Sequence, residues 1–289
     1  MSNMFDFNNV EKCEEIIKEK WNEFREALAK GRFTYDQVDE AKKTTFLHVY
    51  EDLFNSNAGI EQKTITIGEL KYKKIGRGTI LKKDENPNYE RFLPKAEYIR
   101  DDNRFSPKGV EWLYLAIGEE SDIYRCAVAE CRAKTGNRFA FCNFEFEKKY
   151  SDCKLVDLTI ADAITYKEIN QELENYFNLQ KKRAKNVAMH CGKIPNIYWN
   201  KHERENKILR WSVYTYAKLL SEQIFVPLET TDSKSTAYAP FQTMAQYYIS
   251  LGYSGIVFGS TVCSGGKNIV LFDKQMAYPV GTIDINILP

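Results

Sequence analysis

Hydrophobic residues follow helical spacing in the first part of the chain. Between residues 8 and 31, apolar side chains recur every three or four positions and form one stripe. The stripe consists of Val10, Cys13, Ile16, Ile17, Trp21, Phe24 and Leu28. A second helix is predicted over 34–54, before a break at 55–59. Together they predict a helical hairpin in a region spanning 1–62, packed on the rest of the chain or on a partner.

After residue 63 the pattern changes to the alternation that is typical of strands. Strands are predicted around 65–80 and at 112–117, 138–146, 154–159, 256–258 and 268–273. Helical spacing returns after Gly118 and at 160–185, 206–222 and 238–248. Residues 186–204 are expected to be irregular, and Pro240 suits the first turn of the last helix. Short strands mixed with helices predict an α+β domain over residues 63–289.

Composition and charge narrow the possible functions. Lys and Arg total 41 against 40 for Asp and Glu, so no overall field attracts nucleic acid. The basic run at 181–185 is expected at the C-terminal end of a helix, where the helix dipole favours it. No basic-then-apolar leader and no long apolar run occurs, which favours a cytoplasmic protein without a membrane span.

The cysteines and histidines indicate neither a disulfide framework nor a metal site. The seven cysteines have no CxxC spacing, which favours reduced thiols in a cytosol. The three histidines lie outside any metal-binding pattern. We therefore expect no metal and no prosthetic group.

The stretch 104–130 is the most promising place for chemistry. Its helical part places Ile123, Cys126, Ala127 and Glu130 on one face. A carboxylate that ends an apolar stripe has either a functional role or a place at the stripe's edge, reaching water or an arginine. The residues alone leave both interpretations open.

Arg77, between Gly76 and Gly78, is a second candidate. Flanking glycines would let the backbone approach a ligand while the guanidinium meets an anion. A bulge or turn with a surface arginine is the alternative. Eleven Lys or Arg between Glu69 and Lys108, against seven Asp or Glu, fit a phosphate-bearing small ligand.

Spaced sequence blocks across roughly 70–275 resemble the RES-domain family. Arg77 in IGRGT, Arg104 in NRFSPKG, Tyr114 in LYLA and Glu130 in AVAECR match its blocks in order. The C-terminal stretch YAPFQTMAQYYISLGYSGIVFGST is similar to its last block. In the place where some members have a serine the chain has Ala239, so Ser260 is assigned as the family serine.

The resemblance implies an ADP-ribosyltransferase-like α+β fold and cleavage of the nicotinamide–ribose bond of NAD⁺. The expected enzyme is an NAD⁺ glycohydrolase or phosphorylase with NAD⁺ as substrate and, for a phosphorylase, inorganic phosphate as co-substrate. The catalytic residues would be Glu130, Arg77 and Tyr114, with Glu130 in a partly apolar setting in which its charge acts more strongly. The NAD-binding residues would be Arg104, Ser260, Tyr238 and Gln242.

The family further implies a toxin or defence effector that depletes cellular NAD⁺ and is restrained by a cognate antitoxin or regulatory protein. A homo-oligomer is a further possible assembly. Two other functions stay open: a mono-ADP-ribosyltransferase that modifies a macromolecule, and an inactive binding protein on the same scaffold.

Overall fold

A mixed sheet with helices on one face forms the centre of the molecule. The structure is a computed structural model and describes residues 5, 7, 9–54, 64–192, 200–225 and 233–289. Within these residues the sheet has eight strands in the order β1-β5-β6-β7-β3-β2-β4-β8. The β5–β6 pair is parallel and the other neighbours are antiparallel. The predicted α+β class is confirmed.

The strands are short except at one end of the sheet. They are β1 (Thr64–Thr66), β2 (Lys74–Ile80), β3 (Leu113–Gly118), β4 (Arg138–Phe146), β5 (Lys154–Asp157), β6 (Gly255–Gly259), β7 (Lys267–Leu271) and β8 (Ala277–Ile287). The sequence interpretation missed β8, the longest of these strands. Pro279 and Gly281 interrupt its pattern, and most of its residues are exposed, so it lacks the usual apolar alternation.

The last two helices are longer than the sequence pattern predicted, and the predicted helix over 34–54 is divided into two. The helices are α1 (Val10–Ala29), α2 (Val38–Ala41), α3 (Thr45–Phe54), α4 (Glu120–Glu130), α5 (Tyr166–Cys191), α6 (Lys201–Phe225) and α7 (Lys234–Ser250). None of the described helices has the length and apolar character that crossing a membrane requires. The free thiols of the described chain include Cys126, Cys131, Cys142, Cys153 and Cys263.

Three expectations about helix ends are wrong. Because α5 continues to Cys191, the basic run at 181–185 begins more than two turns before the end of the helix. The helix dipole stabilises cations only in the last turn, so it does not account for this run. Parts of 186–204, expected to be irregular, belong to α5 and α6. Helix α7 begins at Lys234, so Pro240 lies inside it and not in its first turn.

The two faces of the sheet carry different apolar layers. One face is covered by helices: a large cluster joins α1, α3, α5, α6 and α7 to Val156, Ile256 and Val270. On the same face, α4 packs over Ala116 and the rings of Phe139 and Phe141. The other face carries Leu113, Leu115 and Ile117 of β3 and is covered by short turns and the loop after β2.

The N-terminal helices are part of the large cluster. Asn9 caps α1 by accepting a hydrogen bond from the Lys12 amide at 3.0 Å. The indole of Trp21 donates to Gln223 of α6, and its ring packs against Phe241 of α7. The N-terminal helices therefore pack on the rest of the chain, which is one of the two arrangements expected from the sequence. The predicted break at 55–59 and the boundary at 62/63 lie outside the described residues.

The glycines around Arg77 serve packing. Neither Gly76 nor Gly78 has a positive φ, and both lie in the continuous strand β2. A Cβ on Gly76 would lie 2.4 Å from Cζ of Phe141, and one on Gly78 would lie 2.1 Å from Cζ of Phe139. The rings of β4 occupy the space that a side chain would need, so the expected close approach of a ligand to these glycines is wrong.

Candidate functional site

Helix α4 ends where it presents the Glu130 carboxylate. Acidic residues occupy its first turn, as the helix dipole favours, and Ile123, Cys126 and Ala127 bury its apolar face. Glu130 is the last helical residue, on the same face, and is exposed. The expectation of a partly apolar setting for this carboxylate is therefore wrong. The carboxylate lies at the edge of the apolar stripe and reaches solvent.

One oxygen of that carboxylate is fixed by two buried donors. Oε1 of Glu130 accepts from Oγ of Ser260 at 2.8 Å and from Nδ2 of Asn268 at 2.5 Å. Among the described residues the other oxygen, Oε2, has no hydrogen-bond partner. The carboxylate is thus held in one orientation while its second oxygen remains available to a ligand.

The two donors come from neighbouring strands. Ser260 follows β6 at the start of a tight loop, which its backbone amide closes on the Gly266 carbonyl at 2.8 Å. The Ser260 hydroxyl also accepts from the amide of Cys263 at 3.0 Å, which fixes its orientation. Asn268 lies on β7 in register with Ala116 and Phe258, on the face that α4 covers. A buried asparagine in an apolar strand was the signal by which sequence reasoning could have found it.

Arg104 lies close to this carboxylate. Its guanidinium carbon is 5.2 Å from the Tyr238 ring centroid and 5.6 Å from that of Phe241, both on α7. Burial lowers the pKa of Arg104, while Tyr238 and Glu130 act in the opposite direction. The side chain remains a cation, because arginine is not deprotonated in proteins.

The loop that carries Arg104 is fixed at both sides. The buried Gln242 amide donates to the Asn103 carbonyl at 3.2 Å. The fully buried Ser106 hydroxyl lies 2.9 Å from the Tyr114 hydroxyl. Burial raises the pKa of Tyr114, and its bond to Ser106 opposes that rise. Gln242 and Tyr114 therefore hold the Arg104 loop in place through these contacts.

Arg77 belongs to an adjacent group. The alternation of β2 places it on the side of Ile75, and its Nη1 donates to the Phe92 carbonyl at 2.9 Å. Beyond Gly76, β2 pairs with β4 but no longer with β3. Burial lowers the pKa of Arg77, opposed by Cys131 and Tyr114.

Arg77 and Glu130 are linked through Cys131. The Cys131 thiol donates to the Gly78 carbonyl at 3.2 Å and follows Glu130 directly in sequence. Desolvation raises the pKa of this thiol to about 11, with Arg77 lowering it and Glu130 raising it. Both predicted residues thus act on one thiol, although no ion pair joins them within the described part of the chain.

The structure brings the predicted residues into two neighbouring groups. Glu130, Ser260, Arg104 and Tyr238 form the first, which we call the Glu130 site, and Asn268 is its unpredicted member. Arg77 and Tyr114 form the second, and Gln242 supports the loop between them. Arg77 and Arg104 are both half-buried and have no carboxylate partner among the described residues, so each side chain suits a phosphate group of a ligand.

No metal centre accompanies these groups in the described chain. Within it, no cluster of three or more His, Cys, Asp or Glu side chains is placed to hold an ion. The available chemistry is a fixed carboxylate, cations and aromatic rings, which can bind an anion and stabilise a developing positive charge.

Comparison with known proteins gives one distant likeness. Neither a protein-family description nor a curated protein sequence matches the chain. Among solved structures it is similar to a chain in the crystal structure of the M. tuberculosis MbcT–MbcA toxin–antitoxin complex. Identity is 9% over 78% of this chain and 88% of that chain, with a TM-score of 0.33. At this TM-score the backbone paths agree too little to assign a fold family or a function.

Proposed function

We propose that this protein cleaves the nicotinamide–ribose bond of NAD⁺, on an ADP-ribosyltransferase-like RES fold. The observation that carries the proposal is the Glu130 carboxylate, fixed through one oxygen by Ser260 and Asn268 and open at the other, next to the stacked guanidinium of Arg104. This combination matches a reaction that develops positive charge on a sugar next to a pyrophosphate.

The carboxylate would act on the ribose. Breaking the glycosidic bond passes through an oxocarbenium-like transition state, which a nearby anion stabilises. The Oε2 atom of Glu130 can accept a ribose hydroxyl while Oε1 stays bonded to Ser260 and Asn268. Because both donors are buried, the carboxylate would need little reorganisation when the charge develops.

The arginines would bind the pyrophosphate. Arg104 is held on the rings of Tyr238 and Phe241, and Arg77 is anchored by one bond to the Phe92 carbonyl. Arginine recognises phosphate oxygens through several N–H groups, so the remaining donors of both side chains suit this role.

Water and inorganic phosphate are both chemically suited acceptors for the released ADP-ribosyl group. The enzyme would be a glycohydrolase with the first and a phosphorylase with the second. In a cell either reaction depletes NAD⁺, so we propose a toxin or defence effector that requires a restraining partner. Induced expression should lower cellular NAD⁺ and arrest growth.

The direct test is nicotinamide release by the purified protein. NAD⁺ is incubated with and without phosphate, and products are separated by liquid chromatography and mass spectrometry. We expect nicotinamide with ADP-ribose or its phosphorylated form. Glu130→Gln keeps the shape and both hydrogen-bonding partners but removes the charge, so the rate should fall by roughly 10²–10³-fold.

Glu120→Gln is the matched control, since Glu120 lies exposed on the same helix away from Ser260 and Asn268. It should retain the wild-type rate. Wild-type activity in Glu130→Gln would contradict the assignment. Label transferred from NAD⁺ to a macromolecule would instead identify a mono-ADP-ribosyltransferase.

A further inference from the structure

Two cysteine thiols meet beneath the Glu130 site. Cys126 lies on α4, one turn before Glu130, and Cys263 lies in the loop between β6 and β7. A single Cβ added at Gly266 would touch both side chains, and Cys263 is one of the groups that act on the Cys126 thiol. Both side chains belong to the apolar cluster under α4.

Gly266 leaves room for the side chains of Cys126 and Cys263 to lie next to each other. A Cβ at Gly266 would lie 3.0 Å from Sγ of Cys126 and 3.1 Å from Cβ of Cys263. A side chain at this position would therefore fill the space between the two cysteines. The glycine leaves room for the loop to lie against α4 and for the sulfurs to approach each other.

Each cysteine also contacts a group that orients the carboxylate. The Cys126 thiol lies 3.5 Å from Oδ1 of Asn268, whose amide donates to Glu130. The Cys263 amide donates to Oγ of Ser260, the other donor to Glu130. A covalent change at this pair would act on both donors at once.

We infer that Cys126 and Cys263 are a modification site, at which a two-electron oxidant such as hydrogen peroxide forms a disulfide that switches the Glu130 site off. The effect on catalysis rests on the proposed function, whereas formation of the disulfide does not. The bond would join α4 to the β6–β7 loop.

The oxidation balances with peroxide as the only co-reactant. The Cys263 sulfur attacks one peroxide oxygen, forming a sulfenic acid and releasing the other oxygen as water. The Cys126 sulfur then attacks the sulfenic sulfur, which forms the S–S bond and releases a second water. Two thiols lose two electrons in total, and one peroxide is reduced to two waters.

The position of each thiol assigns these roles. Residues 261, 262, 264 and 265 around Cys263 are exposed, so a small oxidant reaches this loop first. Burial raises the pKa of Cys126 to about 12, in keeping with a resolving thiol that reacts second.

The disulfide would disturb the carboxylate. Its sulfurs must come to about 2.05 Å, so the loop and α4 shift towards each other. Cys126 then no longer donates to Asn268, and the Ser260 turn moves with Cys263. Since a misplacement of about 1 Å can lower a rate roughly a hundredfold, we expect a loss of about that size.

The experiment compares reduced and peroxide-treated full-length protein. Free thiols are alkylated, and peptides are mapped by mass spectrometry. We expect a linked pair of peptides containing Cys126 and Cys263, a roughly hundredfold slower release of nicotinamide from NAD⁺, and recovery with dithiothreitol. Cys263→Ala should resist peroxide, whereas Cys153→Ala, altered on the far side of the sheet, should remain sensitive.

The outcomes separate the two proposals. If the reduced protein releases no nicotinamide, the proposed function fails and the peptide map still tests the thiol pair. Unlinked Cys126 and Cys263 after peroxide would overturn the modification site. A linked pair with an unchanged rate, or a Cys263→Ala variant as sensitive as wild type, would overturn the switch.

Discussion

Replacing Asn268 by aspartate tests how the Glu130 carboxylate is held. Asn268→Asp keeps the size and shape of the side chain but replaces the amide donor with an oxygen. That oxygen would face Oε1 of Glu130 across the present 2.5 Å contact. Asn268 is 6% exposed, so water cannot readily separate the two groups.

The cost follows from two contributions at pH 8. A hydrogen bond to a charged group, worth about 1.5–3 kcal/mol, is lost. Two negative charges about 4 Å apart repel by about 1 kcal/mol in water and about 4 kcal/mol at an effective dielectric constant of 20. Because Glu130 is exposed, the lower value of the repulsion applies, and we expect the free energy of unfolding to fall by about 2.5–4 kcal/mol.

The loss should depend on pH. The two carboxyl groups of the folded variant can share one proton, and a shared proton restores a hydrogen bond between them. The folded state then keeps a proton that the unfolded chain releases above about pH 4. Since the folded state binds more protons, the variant's stability relative to wild type should fall as pH rises from about 5 to 8.

Urea unfolding at pH 5 and pH 8, followed by far-UV circular dichroism, measures this difference. Asn286→Asp is the control, because Asn286 lies exposed on β8, and its difference from wild type should be within about 0.5 kcal/mol at both pH values. An Asn268→Asp penalty that is the same at pH 5 and pH 8 would refute the reasoning. So would a penalty no larger than that of the control.

Two further substitutions test packing and binding. Gly78→Ala should lower the free energy of unfolding by about 1–3 kcal/mol, because the new Cβ would lie 2.1 Å from the Phe139 ring. Gly118→Ala is the control, since its new Cβ would lie 3.7 Å from the nearest atom. Its free energy of unfolding should fall by less in the same urea titration. Arg104→Ala should raise KM for NAD⁺ by roughly 10–150-fold through loss of a charge-assisted phosphate contact. The exposed Arg100→Ala serves as its control in the same kinetic assay, and equal KM values for the two variants would remove Arg104 from the site.

Regular patterns of apolar residues predicted most of the fold correctly. Strand β4 begins and ends at the predicted residues, and β3 is displaced by one residue. In both, rings and aliphatic side chains face an apolar layer, so local pattern and burial agree. Strand β8 was missed because it lies at the sheet edge with Asp284 and Asn286 exposed, so pairing with β4 determines its structure.

The candidate site could be predicted only in part. The helical spacing from Ile123 to Glu130 was sufficient to place the carboxylate at the end of an apolar face. The exposure of the Glu130 carboxylate could not be predicted, because helical spacing does not reveal how far the β6–β7 loop covers the end of α4. The contact between Asn268 and Glu130 could not be predicted either. The two residues are 138 positions apart in the sequence, and only the pairing of β7 with β3 brings them together.

The amino-acid sequence by itself determined most of the segments that become strands and helices, because hydrophobic periodicity and turn residues act over a few positions. It also determined that a carboxylate ends the apolar face of α4. Only the tertiary structure decided that Ser260 and Asn268 hold that carboxylate and that the glycines beside Arg77 accommodate the rings of β4. These contacts depend on strand order and register, which are set by packing across the whole sheet and not by any local pattern.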